Sequence, residues 1–206
     1  MSTEQNEKQQ VRQNGRKPLI LTGGLFILAM AVTVLFFGGE LADGTAETAE
    51  AISTLPISSG PVNIGDMAID FTLTNLDGTA VTLGDHLGQP TVINFWASWC
   101  GPCRIEMPEL QTLHDRYAAD GLVILAVNQA ETADVAAGFF FDEMGLTFAN
   151  PLLDSEAAAA DKYGVRNLPT TFFIDTNGQV TAVHRGPALL SQFEDYLAVT
   201  APELVQ

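Results

Sequence analysis

The chain has 206 residues, of which 47% are hydrophobic and 17% charged, with a net charge of −16. That length suits one domain with an appendage, and so acidic a balance argues against a nucleic-acid partner, whose phosphates call for Lys and Arg. The charge is uneven: residues 1–18 carry four basic and two acidic side chains, the remainder five and 23. The acidic part reads as a soluble, self-repelling surface that anionic lipid headgroups would also repel.

Residues 1–18 form a short polar tail. Residues 19–37 (LILTGGLFILAMAVTVLFF) contain no charge and only Thr22 and Thr33 as polar side chains apart from glycine. A helix of 19 residues nearly matches a hydrocarbon core of roughly 30 Å. Lys8, Arg12, Arg16 and Lys17 precede it, and no Lys or Arg follows until Arg104. The positive-inside rule therefore places the N-terminus in the cytoplasm and the larger C-terminal part outside the cell membrane. The run exceeds the apolar stretch of a cleaved signal peptide and lacks a good cleavage site close behind it, so it is read as an uncleaved single-pass anchor. No cysteine stands near its end to carry a lipid. Residues 38–60 are rich in Gly, Ala, Thr, Ser and Glu without periodicity, and read as a flexible acidic linker averaging roughly 25–30 Å end to end.

A globular domain is expected over residues 61–206. Segments 71–74 and 81–83 alternate on either side of Asp77-Gly78, the pattern of a hairpin. Residues 91–97 form a strongly apolar strand, 102–117 a helix, 122–127 a strand, 132–144 a helix, 152–153 a short strand and 156–163 an Ala-rich helix. Strands at 170–174 and 180–184 flank the turn Asp175-Thr176-Asn177-Gly178, and 189–199 closes the chain as a helix. Alternating strands and helices followed by a hairpin predict an α/β sheet, parallel in one half and antiparallel at the other edge.

The chemistry is concentrated after the strand at 91–97. Trp99-Cys100-Gly101-Pro102-Cys103 holds the only two cysteines of the chain, in the Cys-x-x-Cys spacing of a thiol-disulfide redox site. Pro102 suits the first turn of a helix, so Cys100 falls at a helix N-terminus, where free N–H groups and the dipole favour a thiolate. Cys100 is then the attacking thiol and Cys103, one turn inside and more buried, the resolving one. A structural bridge closing so short a loop would add little stability. Zinc would need four ligands, and His86, His114 and His184 are scattered. Neither a cofactor nor a metal enters this reading.

Glu106 lies three residues beyond Cys103, in register with Leu110, Leu113 and Tyr117 along the face expected to pack on the sheet. Buried there, its carboxyl would have a raised pKa and could exchange a proton with Cys103. At the edge of the stripe it would instead face solvent. Leu168-Pro169 precedes the strand at 170–174, and fits either a cis peptide at a tight turn or an ordinary trans proline at a strand start.

These residues together resemble the membrane-anchored thioredoxin-like proteins of the TlpA/ResA type, related to the AhpC/TSA redoxins. The likeness spans about residues 64–197. It is strongest in NFWASWCGPCRIEMPEL (94–110) and clear again in LPTTFFID (168–175). It implies a thioredoxin-like fold with an N-terminal hairpin and an insertion around 128–153. It also implies a cis Pro169 facing the dithiol, and use of Glu106 beside it. Trp99, Gly101, Pro102, Leu168 and Pro169 then become the candidate substrate contacts. Thioredoxins carry a buried Asp where this chain has Asn94. The Gly-Pro pair between the cysteines points to a reductant nearer roughly −270 than −120 mV.

The leading expectation is a tethered disulfide reductase outside the cytoplasm. Its partners would be oxidised exported proteins, among which the resemblance suggests apocytochrome c, and a transmembrane thiol electron donor, because soluble reductants are scarce there. Two alternatives stand beside it. A thiol peroxidase of the related peroxiredoxin type would carry Pro and Thr where this chain has Ile93 and Ala97. A non-catalytic module would dock extended peptides beside Pro169.

Overall fold

The computed structural model describes residues 61–149 and 151–205. The tail at 1–18, the anchor at 19–37 and the linker at 38–60 lie outside them. Among the described residues, no helix is long and apolar enough to cross a membrane.

The strands are β1 (Thr72–Asn75), β2 (Ala80–Thr82), β3 (Thr91–Trp96), β4 (Val123–Gln129), β5 (Leu152–Asp154), β6 (Thr170–Ile174) and β7 (Val180–Arg185). The α-helices are α1 (Gly101–Tyr117), α2 (Ala133–Ala137), α3 (Ala158–Tyr163) and α4 (Leu190–Thr200). All seven strands join one sheet in the order β2-β1-β5-β4-β3-β6-β7. The pairs β3–β4 and β4–β5 are parallel; β3–β6, β6–β7, β1–β5 and β1–β2 are antiparallel. The sheet is therefore parallel in the middle and antiparallel at both edges, which corrects the expectation of one antiparallel edge. The first hairpin completes it by adding β1 to the free edge of β5, a pairing between segments far apart in the chain that leaves no trace in the local alternation of either.

Every residue of β3 is buried. Its side chains alternate between two cores, as a strand covered on both faces must. Val92 and Trp96 join α1, α4 and Phe139–Phe140 on one face. Ile93 and Phe95 join Phe71, Tyr163 and Phe172 on the other. The Tyr163 hydroxyl donates to the Ile69 carbonyl at 2.9 Å, so its polar tip is satisfied within that second core.

Two helices differ from expectation. The stretch 132–144 is not one α-helix: α2 stops at Ala137 and a wider π-helical turn runs over Gly138–Glu143. The cause is the run Phe139-Phe140-Phe141. Phe139 and Phe140 both pack on Trp96, with ring centroids 5.3 and 5.7 Å away, and the wider turn lets consecutive aromatics share one partner. The Ala-rich helix starts at Ala158 rather than 156, because Ala157 takes a left-handed φ of 56°. The buried Asp154 at the end of β5 accepts the Ala159 and Ala160 N–H groups at 3.1 and 2.8 Å, anchoring the helix start.

Gly164 ends α3 at a φ of +67°, and a Cβ there would lie 2.4 Å from the Pro61 Cβ. Gly164→Ala combines left-handed strain with that overlap. It is expected to destabilise the protein by roughly 1–3 kcal/mol, read as a lowered midpoint in thermal or urea unfolding.

Candidate active site

Trp96 ends β3, and the chain turns through Ala97-Ser98-Trp99 into α1. The Cys100 N–H donates to the Ala97 carbonyl at 3.1 Å. Cys100 is the N-cap of α1, and its Sγ accepts the Cys103 N–H at 3.1 Å. A side-chain acceptor at this position takes up one of the orphan donors of the first turn, and the same donor stabilises a thiolate once the bond is reduced. Cys100 and Cys103 form a disulfide. Cys103 is fully buried and Cys100 is 4% exposed.

Glu106 lies on the same face of α1 as Cys103, Leu110 and Leu113, with none of its surface exposed. The structure thus resolves its position in favour of the buried face. Its Oε1 accepts from Asn94 Nδ2 at 2.6 Å and its Oε2 from the Ala188 N–H at 3.2 Å. Burial pushes its pKa up to about 7, against the lowering effect of those two donors. Asn94 lies on β3, and its Nδ2 also reaches Thr171 Oγ1 on β6 at 2.9 Å.

The Leu168–Pro169 peptide is cis. Thr170 pairs with Phe95, so Pro169 lies at the end of the sheet where β3 delivers the cysteines. Of the candidate substrate contacts, Trp99 is 70% exposed. Gly101 and Pro102 are exposed, Leu168 is half-buried and Pro169 is buried. The Pro169 carbonyl accepts from the Gly186 N–H at 2.9 Å. The loop from Gly186 to Leu190 is thereby tied three times: to Pro169, to Glu106 through Ala188, and to Glu109 Oε2 through the Leu190 N–H at 3.2 Å.

Glu131 and Glu143 at the site lie outside the motifs read from the sequence, and Arg104 lies inside one that assigns it no role. Glu131 accepts from the Ser98 N–H at 2.8 Å, from Ser98 Oγ at 2.5 Å and from Asn128 Nδ2 at 2.7 Å, clamping the turn before Cys100. Arg104 pairs with Glu143, lies 4.6 Å over the Phe139 ring and donates to the Ser98 carbonyl at 3.2 Å. The signal that could have found Glu131 is the parallel register: Trp96 pairs with Asn128, so the loops after β3 and β4 emerge side by side. Among the described residues, no group of three or more His, Cys, Asp or Glu side chains is arranged to hold a metal ion.

The AhpC/TSA family model matches residues 64–183. The thiol-disulfide oxidoreductase ResA of Oceanobacillus iheyensis is 38% identical over 144 residues, covering 68% of this chain and 74% of that protein. A Chlorobium tepidum structure named as a thiol:disulfide interchange protein DsbE aligns at a TM-score of 0.62 with 33% identity, over 70% of this chain and 99% of that one. The structure of StoA from Bacillus subtilis aligns at a TM-score of 0.54 with 27% identity, over 63% and 96%. The fold is accordingly thioredoxin-like.

The raised pKa of Glu106 has a consequence for stability. Between its ordinary 4.5 and about 7, the folded protein holds a proton that the unfolded chain has released. Stability therefore declines as pH rises through that window and levels off above it, by an amount on the order of 3 kcal/mol. Urea unfolding of oxidised Glu106→Gln across pH 4–8 is expected to lack this part of the decline.

Proposed function

This chain belongs to the AhpC/TSA family, as a thioredoxin-like protein of the TlpA/ResA type, and from that membership we propose that it works as a membrane-tethered disulfide reductase outside the cytoplasm. It is a thiol-disulfide oxidoreductase, as its ResA relatives are named. The proposal adds direction, place and partners. Its substrates are disulfides of exported proteins, with apocytochrome c the candidate that the family suggests. Its electrons come from a transmembrane thiol carrier. The 19-residue apolar run behind a basic flank supports the tether, and the Gly-, Ala-, Thr-, Ser- and Glu-rich composition of residues 38–60 supports a linker between it and the redox domain.

The observation that carries the chemistry is a Cys100–Cys103 disulfide at the N-terminus of α1 with a buried carboxyl one turn further on. In the reduced protein, Cys100 attacks as thiolate, held by the helix N-terminus and the Cys103 N–H. A Cys100–substrate disulfide forms and the first substrate sulfur leaves, taking a proton. Glu106 then accepts the Cys103 proton, and the Cys103 thiolate attacks Cys100 Sγ. The Cys100–Cys103 bond forms, the second substrate sulfur leaves and is protonated, and two electrons have passed to the substrate. A Glu106 pKa of about 7 suits both taking and returning that proton near neutral pH. The exposed Trp99, Gly101 and Pro102 offer the surface beside Cys100 on which a substrate segment rests.

Cys103→Ser removes the resolving thiol. Expressed in cells, it is expected to accumulate mixed disulfides on Cys100 with extracytoplasmic proteins, identified by mass spectrometry after trapping. Capture of cytoplasmic proteins alone would refute the location. The dithiol potential of the unaltered protein is expected nearer roughly −270 mV, and a value more oxidising than about −180 mV would make the protein an oxidase.

A further inference from the structure

Asn94 is fully buried, yet only half of its side-chain amide is used. Its Nδ2 donates to Glu106 Oε1 at 2.6 Å and to Thr171 Oγ1 at 2.9 Å, while its Oδ1 is buried with no partner. A buried carbonyl oxygen left unpaired in a native core requires an explanation. We propose that Asn94 is a positioning residue for Glu106: its amide donates to the carboxylate and, turned over, accepts from the carboxylic acid, so that Glu106 keeps a partner in both protonation states. This rests on the proton exchange between Glu106 and Cys103 proposed above.

The chemistry of the three groups supports the rotation. An ionised carboxylate only accepts, whereas a protonated one must place an O–H. An amide N–H facing that O–H is the wrong partner. A half-turn about χ2 exchanges Nδ2 for Oδ1, which can accept from Glu106 and from the Thr171 hydroxyl at once. Thr171 serves both arrangements because a hydroxyl donates as well as accepts. The Ala188 N–H can only donate, so it stays with the unprotonated oxygen throughout. Neither Asp nor an apolar residue at position 94 could do this. Asp would set a second carboxylate against Glu106, and an apolar side chain would leave both states unpaired.

Several ionisable groups on the surrounding elements are engaged elsewhere, while the side chains of Arg185 on β7 and Asp195 on α4 make no hydrogen bond or ion pair among the described residues. On α1, Arg104 pairs with Glu143 and Glu109 accepts from Leu190. His184 on β7 is bonded to the Tyr196 hydroxyl. Glu194 on α4 is held by Arg116 and Tyr117. Cys103, one turn before Glu106 on α1, and Cys100 beyond it become titratable once the disulfide is reduced.

The test is the pH profile for reduction of oxidised glutathione by the full-length reduced protein. Asn94→Leu is expected to move the Glu106-dependent midpoint upward by about one pH unit, a roughly tenfold gain in proton affinity. The reason is that a bond to the charged form is worth more than one to the neutral form. In a Glu106→Gln background, Asn94→Leu should add no further shift. A profile moved by Glu106→Gln but not by Asn94→Leu overturns the role of Asn94 and leaves the proton exchange standing. A profile unmoved by Glu106→Gln overturns both. A shift from Asn94→Leu that persists without Glu106 shows that Asn94 acts by another route, which also overturns the proposal.

Because Asn94→Leu sets an apolar side chain beside a buried carboxyl, a second measurement uses the unaltered sequence, labelled with 15N-asparagine. Nuclear Overhauser contacts between the Asn94 amide protons and the Thr171 methyl are expected above the Glu106 midpoint and lost below it. Their persistence at both ends of the titration overturns the rotation.

Discussion

The site depends on a buried hydrogen-bond junction centred on one carboxyl group. Glu106 comes from α1, Asn94 from β3, Thr171 from β6 and the Ala188 N–H from the loop before α4. Four separate pieces of the fold meet there through polar contacts in an otherwise apolar core. A buried carboxyl is costly unless paired and hydrogen-bonded, and these donors hold the group close to the balance between its two protonation states. Structure and chemistry thus share one constraint. The contacts that join the helix to the sheet and to the loop before α4 are also the contacts that set the proton affinity of its carboxyl.

A second set of contacts governs the turn before Cys100. Ser98 is held on one side by Glu131, which takes both its N–H and its hydroxyl, and on the other by Arg104, which takes its carbonyl. Charges of opposite sign therefore bracket the segment that carries Trp99 and Cys100. Arg104 also reaches Glu143 and the Phe139 ring, so the π-helical turn is connected to the first turn of α1. A cysteine held this way sits at one defined position rather than in a loose turn. The neighbouring Trp99 nevertheless remains largely open to solvent, beside a disulfide that is itself almost covered.

The cis-proline turn and the loop from Gly186 to Leu190 are joined to each other, and Leu168 and Ala188 pack in the same core cluster as the two cysteines. The Pro169 carbonyl is taken by Gly186, so part of the backbone at this turn is committed within the chain. The same loop binds Glu106 and Glu109 through its N–H groups. The loop is thus fastened to Glu106 and Glu109 through backbone donors rather than side chains.

How much of this was legible in the chain follows from the range of each interaction. Local rules were enough for the strand before the cysteines, the helix with Pro102 in its first turn and Cys100 at its N-terminus, but they left Glu106 open between the buried face and the solvent edge. Strand periodicity, helix periodicity and capping act over a few residues. The family resemblance supplied the cis peptide at Pro169, where spacing alone left two conformations open. What tertiary structure decided lies at long range. Asn94 meets Thr171 across 77 positions, Glu106 meets Ala188 across 82 and Ser98 meets Glu131 across 33. No local pattern marks such partners, because they become neighbours only when strand register and helix docking are set. The placement of the first hairpin against β5 and the widening of the helix at Phe139 and Phe140 belong to the same class. The sequence by itself determined the redox motif and the helix that carries it. Only the fold decided which donors surround Glu106, and a buried proton affinity depends on those donors rather than on the residue type.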